Sequence, residues 1–319
     1  MNDISICLTV KNEEENISLL LESLVTQTIV PGEIVIVDAG STDNTIKIIT
    51  SYKNKYPKLI KLIIDKGVSR AKGRNIAVKN AKSNIIAMTD AGCIADNNWL
   101  KWITDPFKKE NDIVVAGFYK MSGKNDFQRA MAVFLGVMPK DFSDKFLPST
   151  RSIAFSKSVW EKVGGFPEDL PATAEDTVFS YKVIKNNVKL IRVKKALVEW
   201  GMPQSLSEYY SKVREYAKGD AMSNIWWNPA KRLKSHNIKV LLVFIRYFLG
   251  LGLVVLSVFT PHILVGLFVM VMFYIFWSFT KVYEKYKNLN VALFGPVLQI
   301  TSDFGVLRGF VQGIIFMKR

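Results

Sequence analysis

The sequence predicts an α/β protein, with a Rossmann-like, mostly parallel sheet flanked by helices and a helical membrane region after it. Three observations carry that expectation. Two apolar runs, EIVIVDAGS ending at Ser41 and IIAMTDAGC ending at Cys93, each close on an Asp followed by small residues. A buried parallel strand ends in this way when its last carboxylate points into the crevice beyond the strand's carboxyl end, where open α/β sheets bind ligands. Apolar strands and amphipathic helices alternate at the spacing of βαβ crossovers. Towards the C-terminus, two consecutive apolar stretches reach the roughly twenty residues needed to cross a bilayer.

Ile4 to Val10 reads as the first strand. Asn12 with Glu15 forms a capping box for a helix whose apolar face is Ile17, Leu20, Leu21 and Leu24. The second strand, Ile34 to Val37, follows the first by about thirty residues, the length of a βαβ unit. Asp38 ends it. The polar run Gly40 to Asn44 then supplies turn and N-cap chemistry for a helix through Ile46, Ile49 and Tyr52, and Leu59 to Ile64 is a third strand. Next comes KGVSRAKGRN, residues 66–75, a basic start to an apolar helix. Positive charge is unfavourable at a helix N-terminus, so an anion close to Arg70 and Arg74 would account for it, a diphosphate being one candidate and a solvated basic surface the plainer reading.

Beyond Asp90, Ile113 to Phe118 and Ser152 to Phe155 are further short strands. Asp126 to Lys145 between them reads as a flexible helical insertion. Gly164 and Gly165 stop a short helix, and Glu175 with Asp176 opens a later one bearing Val178, Phe179 and Val183. Carboxylates in a first turn complement the helix dipole, so the pair needs no functional explanation by itself.

The 319 residues carry a formal charge of +15 and a pI near 9.6, with 49% hydrophobic content. Nucleic-acid binding would interleave basic residues with exposed aromatics on one module, and no such motif is legible. Lys and Arg cluster instead at the flanks of the apolar C-terminal runs, so a membrane explains the charge. Cys7 and Cys93 have neither a CxxC spacing nor a His partner, which argues against a zinc site or a disulfide framework. The opening MNDISICLTV lacks the basic and long apolar regions of a signal peptide.

With LTVKNEEENI, IVIVDAGSTDNT, SRAKGRN, TDAGC, VGGF and AED in this order, residues 3 to 225 resemble a family 2 inverting glycosyltransferase of the GT-A fold. The resemblance implies a nucleotide-sugar donor and a set of roles. Thr9 and Asp38 would hold the nucleotide base and ribose, Arg70, Arg74 and Asn75 the diphosphate region, and Asp90 a divalent cation, Mg²⁺ or Mn²⁺. Asp176, with Glu175 beside it, would be the catalytic base. UDP is favoured over GDP from family frequency. Gly92 stands where the family's Asp-x-Asp metal motif has its second carboxylate, which leaves Asp90 as a single ligand. The helix Tyr209 to Asp220 lacks the Gln-x-x-Arg-Trp motif of processive members, implying one sugar per encounter; Arg214 in it is either a surface charge or a phosphate contact.

Residues 1–230 are therefore expected to form the catalytic domain and 231–319 the membrane region. Spans are expected at 239–259 and 262–280, with Arg246 the only charge between Lys239 and Lys281. The flanks Lys231, Arg232, Lys234, Lys281, Lys285 and Lys287 place the catalytic domain on the cytoplasmic side of the cell membrane by the positive-inside rule. Residues 289–317 contain Gln299, Thr301, Ser302, Asp303 and Arg308, so a break near Ser302 into two re-entrant or interfacial helices is expected. Such an arrangement suits a lipid-linked or membrane-proximal acceptor. The alternative is an inactive nucleotide-sugar-binding scaffold of a glycan-assembly complex, which the Gly92 departure supports.

Overall fold

The computed structural model describes residues 4–170, 173–223 and 236–317. Two compact units emerge, one comprising Met1–Lys120 and Phe142–Gly201, the other Met121–Asp141 and Met202–Arg319. This division differs from the boundary expected at 230, because residues 121–141 and 202–223 pack with the C-terminal helices. Lys231, Arg232, Lys234, Lys318 and Arg319 lie outside the described residues.

In chain order the sheet unit is built from β1 (Ile4–Val10), α1 (Ile17–Val25), β2 (Glu33–Asp38), α2 (Thr45–Lys55), β3 (Ile60–Ile64), α3 (Arg70–Asn80), β4 (Ile85–Met88), β5 (Cys93–Ala95), α4 (Trp99–Thr104) and β6 (Ile113–Ser122). After α5 (Asp126–Leu135), which belongs to the other unit, come β7 (Ile153–Ser156), α6 (Lys157–Lys162), α7 (Glu175–Lys185) and β8 (Lys189–Gly201). The strands form one sheet in the order β3-β2-β1-β4-β7-β6-β8-β5. β3, β2, β1 and β4 pair in parallel, whereas β7 runs antiparallel to β4 and β6, and β5 antiparallel to β8. The parallel half is the one the βαβ spacing foresees. Every residue of β2 is buried, as expected of a strand covered on both faces.

The face Ile17, Leu20, Leu21 and Leu24 is fully buried, so the helical periodicity of α1 was legible. The capping box was not formed. Asn12 adopts φ 53°, donates its backbone N–H to Ser41 Oγ and accepts from Thr42 N–H, joining the loops after β1 and β2 instead of capping α1. α3 is capped by Ser69, whose hydroxyl accepts from Lys72 N–H at 3.2 Å.

The helical unit adds α8 (Leu206–Met222), α9 (His236–Ser257), α10 (His262–Tyr286), α11 (Leu289–Ala292) and α12 (Gly295–Met317). Its α5 is not a flexible insertion: Ala130 and Met131 are fully buried with Tyr209, Val213, Val282, Val291, Ala292 and Leu298. Three helical segments, Asn237–Ser257, His262–Tyr286 and Leu289–Met317, are long and apolar enough to cross a membrane. The break expected at Ser302 is absent, and α12 runs unbroken from Gly295 to Met317. Its central charge is neutralised by neighbours, since Asp303 accepts from Arg246 at 2.5 Å, from Tyr247 at 3.1 Å, from Gln299 at 3.0 Å and from Tyr274. α12 also meets α8 closely. A Cβ at Gly309 would lie 2.1 Å from Arg214 O and one at Gly313 2.6 Å from Lys218 O, so glycine at this four-residue spacing is what lets the two backbones approach.

Candidate functional site

At the carboxyl ends of β1 and β4 the sheet unit gathers three charged elements of the expected site. Arg74, one turn into α3, is 3% exposed. Its Nη2 donates to Asp90 Oδ1 at 2.8 Å and its Nη1 to Glu175 Oε1 at 2.5 Å. Arg70, one turn earlier and half-exposed, approaches the same Glu175 oxygen at 3.6 Å. The cationic start of α3 is thus balanced by carboxylates of the protein itself. Gly73 makes the placement possible: a Cβ there would lie 2.5 Å from Thr9 Cγ2, so a larger residue would push α3 away from β1. Thr9 Oγ1 is buried among the described residues without a hydrogen-bond partner.

Asp90 keeps its second oxygen towards Thr150, whose hydroxyl is 3.3 Å away, and its side chain remains 31% exposed. Burial pushes the carboxyl up, but Arg74, Arg151 and Arg70 together pull it below the usual Asp range. The same charges act in reverse on Arg74: burial disfavours the guanidinium, while Asp90, Glu175 and Asp176 more than restore it. Burial, with the Asp90 carboxylate next, pushes the neighbouring Cys93 thiol up to about 12.

Glu175 and Asp176, adjacent at the start of α7, have different surroundings. Glu175 is 4% exposed, and its carboxylate is committed to the two arginines. Asp176 is half-buried and accepts from Thr177 N–H at 2.7 Å and more weakly from the Thr177 hydroxyl. It is the accessible carboxylate of the pair.

Other residues expected here are engaged elsewhere. Asp38 is fully buried, and its oxygens accept from Gly40 N–H, Ser41 N–H and the Ser41 hydroxyl at 2.6 to 2.8 Å, which makes it the organiser of its own loop. Asn75 clamps the loop after α6. Its amide donates to Phe166 O and Glu168 and accepts from Trp160 Nε1 and Phe166 N–H, leaving no hydrogen-bonding position for a donor substrate. Gly164 and Gly165, at φ 72° and 64°, provide the left-handed turn that delivers Phe166 beneath Arg74, 5.7 Å from ring to guanidinium. Arg214 lies in α8 of the helical unit and pairs with Glu215 at 3.0 Å. Asp96 does not replace the missing second carboxylate, because it accepts from Asn98 N–H in its own turn.

Sequence reasoning missed Thr150 and Arg151. Arg151 stacks 3.8 Å over the Trp200 ring and 5.1 Å from Tyr119, and its Nη1 donates to Ser149. A signal existed: Arg151 stands two residues before a fully buried strand, where a cation has to find partners outside the core.

Among the described residues, no group of three His, Cys, Asp or Glu converges into a protein-only cage. Asp90 alone fits a hard cation that keeps its waters and takes substrate oxygens. Gly92 is open, with nothing within 4 Å of a Cβ built there, so the missing carboxylate leaves space rather than a substitute ligand.

Sheet, crevice and charges define a glycosyltransferase of the GT-A type. Among solved structures, the mannosyltransferase PcManGT from Pyrobaculum calidifontis, in complex with GDP-Man and Mn²⁺, shares this fold with a TM-score of 0.57 at 17% identity, over 98% of this chain and 87% of that one. The model of glycosyl transferase family 2 matches residues 5–159, and that of glycosyl transferase family group 2 matches residues 113–279, more than half of the chain. The chain belongs to the family 2 glycosyltransferases. Glycosyltransferase AglE of Haloferax volcanii is 27% identical over 172 residues, 52% of this chain, and the match spans only 57% of AglE. A poly-beta-1,6-N-acetyl-D-glucosamine synthase of Staphylococcus epidermidis is 24% identical over 310 residues, 91% of this chain and 74% of its own length.

Proposed function

We propose that this glycosyltransferase moves a single sugar, with inversion, from a nucleotide donor to a lipid-linked or membrane-proximal acceptor, and that the donor is a UDP-sugar in preference to a GDP-sugar. The observation that carries the reading is Arg74 buried between Asp90 and Glu175, with Arg70 beside it and Asp176 accessible. Asp176 takes the proton of the acceptor hydroxyl as its oxygen attacks the anomeric carbon. The bond from that carbon to the diphosphate breaks, and Arg70 and Arg74 draw the charge that develops on the leaving nucleoside diphosphate. Glu175 holds both arginines in place. A divalent cation such as Mg²⁺ or Mn²⁺, held at Asp90, would supply further charge neutralisation. Thr9, with its unpartnered hydroxyl, and the loop organised by Asp38 serve the nucleoside.

We further read the sheet unit as cytoplasmic and the protein as a multi-pass protein of the cell membrane, anchored by α9 and α10. For α12, 28% of its most apolar window is buried, against 11% and 6% for the other two segments. Its partner α8 carries Lys212, Arg214, Glu215, Lys218 and Asp220, and burying such charges in hydrocarbon costs about 2.5 kcal/mol or more each. This supports α12 lying at the cytoplasmic interface. Met317→Cys should react with an impermeant thiol reagent only in opened cells, the two native cysteines being buried; labelling of intact cells would make α12 a third span.

The activity itself is tested by incubating the purified full chain with a panel of UDP- and GDP-sugars and a membrane lipid extract. Sugar appearing in the lipid fraction, one residue per acceptor, is the expected result. Nucleotide binding without turnover would favour the scaffold reading that the open Gly92 position suggests. Long products would favour a polymerase, a reading supported by the 91% of this chain that matches the Staphylococcus epidermidis synthase.

A further inference from the structure

Within the helical unit, α9 packs against α12. Val240, Phe244, Val306, Phe310 and Ile314 share one apolar cluster with Ala221, and the rings of Phe244 and Phe310 and of Tyr247 and Phe304 meet at 5.9 Å. Along one side of this pair runs a groove of about 590 Å³ between Phe244, Tyr247, Phe248 and Leu251 on one helix and Leu307, Arg308, Val311 and Gln312 on the other. Its lining is apolar except near Arg308 and Gln312. These two form its polar end, and on α9 it is walled by Phe244, Tyr247, Phe248 and Leu251.

Arg308 is the anomaly. It is exposed on a helix of membrane character, and among the described residues it has no ion pair, hydrogen bond or aromatic partner, whereas Arg246 on the facing helix is paired with Asp303. An unpaired guanidinium in or beside hydrocarbon is costly; its planar fork matches carboxylates and phosphates, and phosphate is the anion a bilayer supplies. From Phe244 to Leu251 the groove follows two turns of helix, about 10 Å, enough for the upper part of an aliphatic chain.

We propose that this groove binds an anionic membrane phospholipid, its phosphate on Arg308 and Gln312 and one acyl chain along Phe244, Phe248 and Leu251. The lining agrees with the chemistry of a bilayer. The polar end is formed by Arg308 and Gln312, and Phe244, Phe248 and Leu251 supply the apolar wall along α9. This lipid-binding surface shares no residue with the Asp90 site; it rests on the membrane reading of α9 and not on the identity of donor or acceptor.

The test is native mass spectrometry of the full chain taken from phosphatidylcholine bilayers with and without phosphatidylglycerol, together with thermal unfolding in both. Wild type should retain one phosphatidylglycerol and unfold at a higher temperature with it. Arg308→Gln should weaken that binding about ten- to a hundred-fold, the usual worth of hydrogen bonds to a charged group, and should unfold like wild type in phosphatidylcholine alone, since no internal partner is lost. Leu251→Trp should also lose the lipid by filling the groove. Lys285→Gln, which removes a cation paired with Asp141 away from the groove, should keep it. Equal retention by Arg308→Gln, or equal loss by Lys285→Gln, would overturn the site in favour of diffuse attraction to a basic protein. Preference for a polyprenyl phosphate over phosphatidylglycerol would overturn the phospholipid assignment and make the groove an acceptor site.

Discussion

Asp90 in the sheet unit and Asp303 in the helical unit are both carboxylates paired with an arginine, and their surroundings differ in one respect. Asp303 is 1% exposed and receives hydrogen bonds from four side chains on α9, α10 and α12. Asp90 shares its arginine with Glu175, has only a weak contact from Thr150 on its other oxygen, and keeps 31% of its side chain exposed. A satisfied, closed cluster fixes how helices pack; an open cluster, with a half-exposed arginine and a carboxylate still partly exposed, has groups left over for a ligand. The same residue types thus make a staple in one unit and a site in the other.

The contrast can be broken by removing each centre. Arg74→Ala leaves Asp90 and Glu175 without the cation they share, and breaking a buried pair from one side costs about 3–5 kcal/mol, so both stability and transfer should collapse. If the unfolding midpoint is unchanged, the network is not structural. Asp303→Ala removes four hydrogen bonds at roughly 0.6 kcal/mol each, the average for membrane helices, giving a loss of about 2 kcal/mol seen in helix-bundle unfolding while nucleotide binding survives. Gly92→Asp sharpens the comparison in the other direction. The position is open, so the variant should fold normally and show a steeper dependence of donor binding on Mn²⁺ than wild type; an identical metal titration would mean that position 92 does not face the cation.

Acid provides the smallest effect. Asp90 has a lowered pKa in the folded protein, so the unfolded chain takes up its proton first as the pH falls. The stability this provides is complete above about pH 4 and is lost as the pH drops through the folded value. Asp90→Asn should flatten the slope of unfolding free energy against pH in that acid range.

Much of this was legible in the sequence because strands and helices declare themselves by period. The four parallel strands, the buried face of α1 and the Gly164–Gly165 turn all follow from local pattern and φ preference. Charge pairing was not legible, since it depends on residues brought together across the chain. Arg74 and Glu175 are 101 positions apart, and nothing local distinguishes Glu175, which clamps two arginines, from Asp176, which remains accessible. Asn75 was misleading for the same reason: its four hydrogen bonds reach residues 160 to 168. The polar centre of α12 suggested a break only while its partners on α9 and α10 were out of view.

The division of labour between those adjacent carboxylates is the central claim, and Asp176→Asn tests it most directly. Its rate of sugar transfer should be measured beside the wild type, with donor affinity determined separately by binding. The account predicts a fall of about a hundred- to ten-thousand-fold in turnover with donor affinity nearly intact, because shape is kept and basicity removed. Near-normal turnover in the Asn variant would contradict it and take Asp176 out of the mechanism.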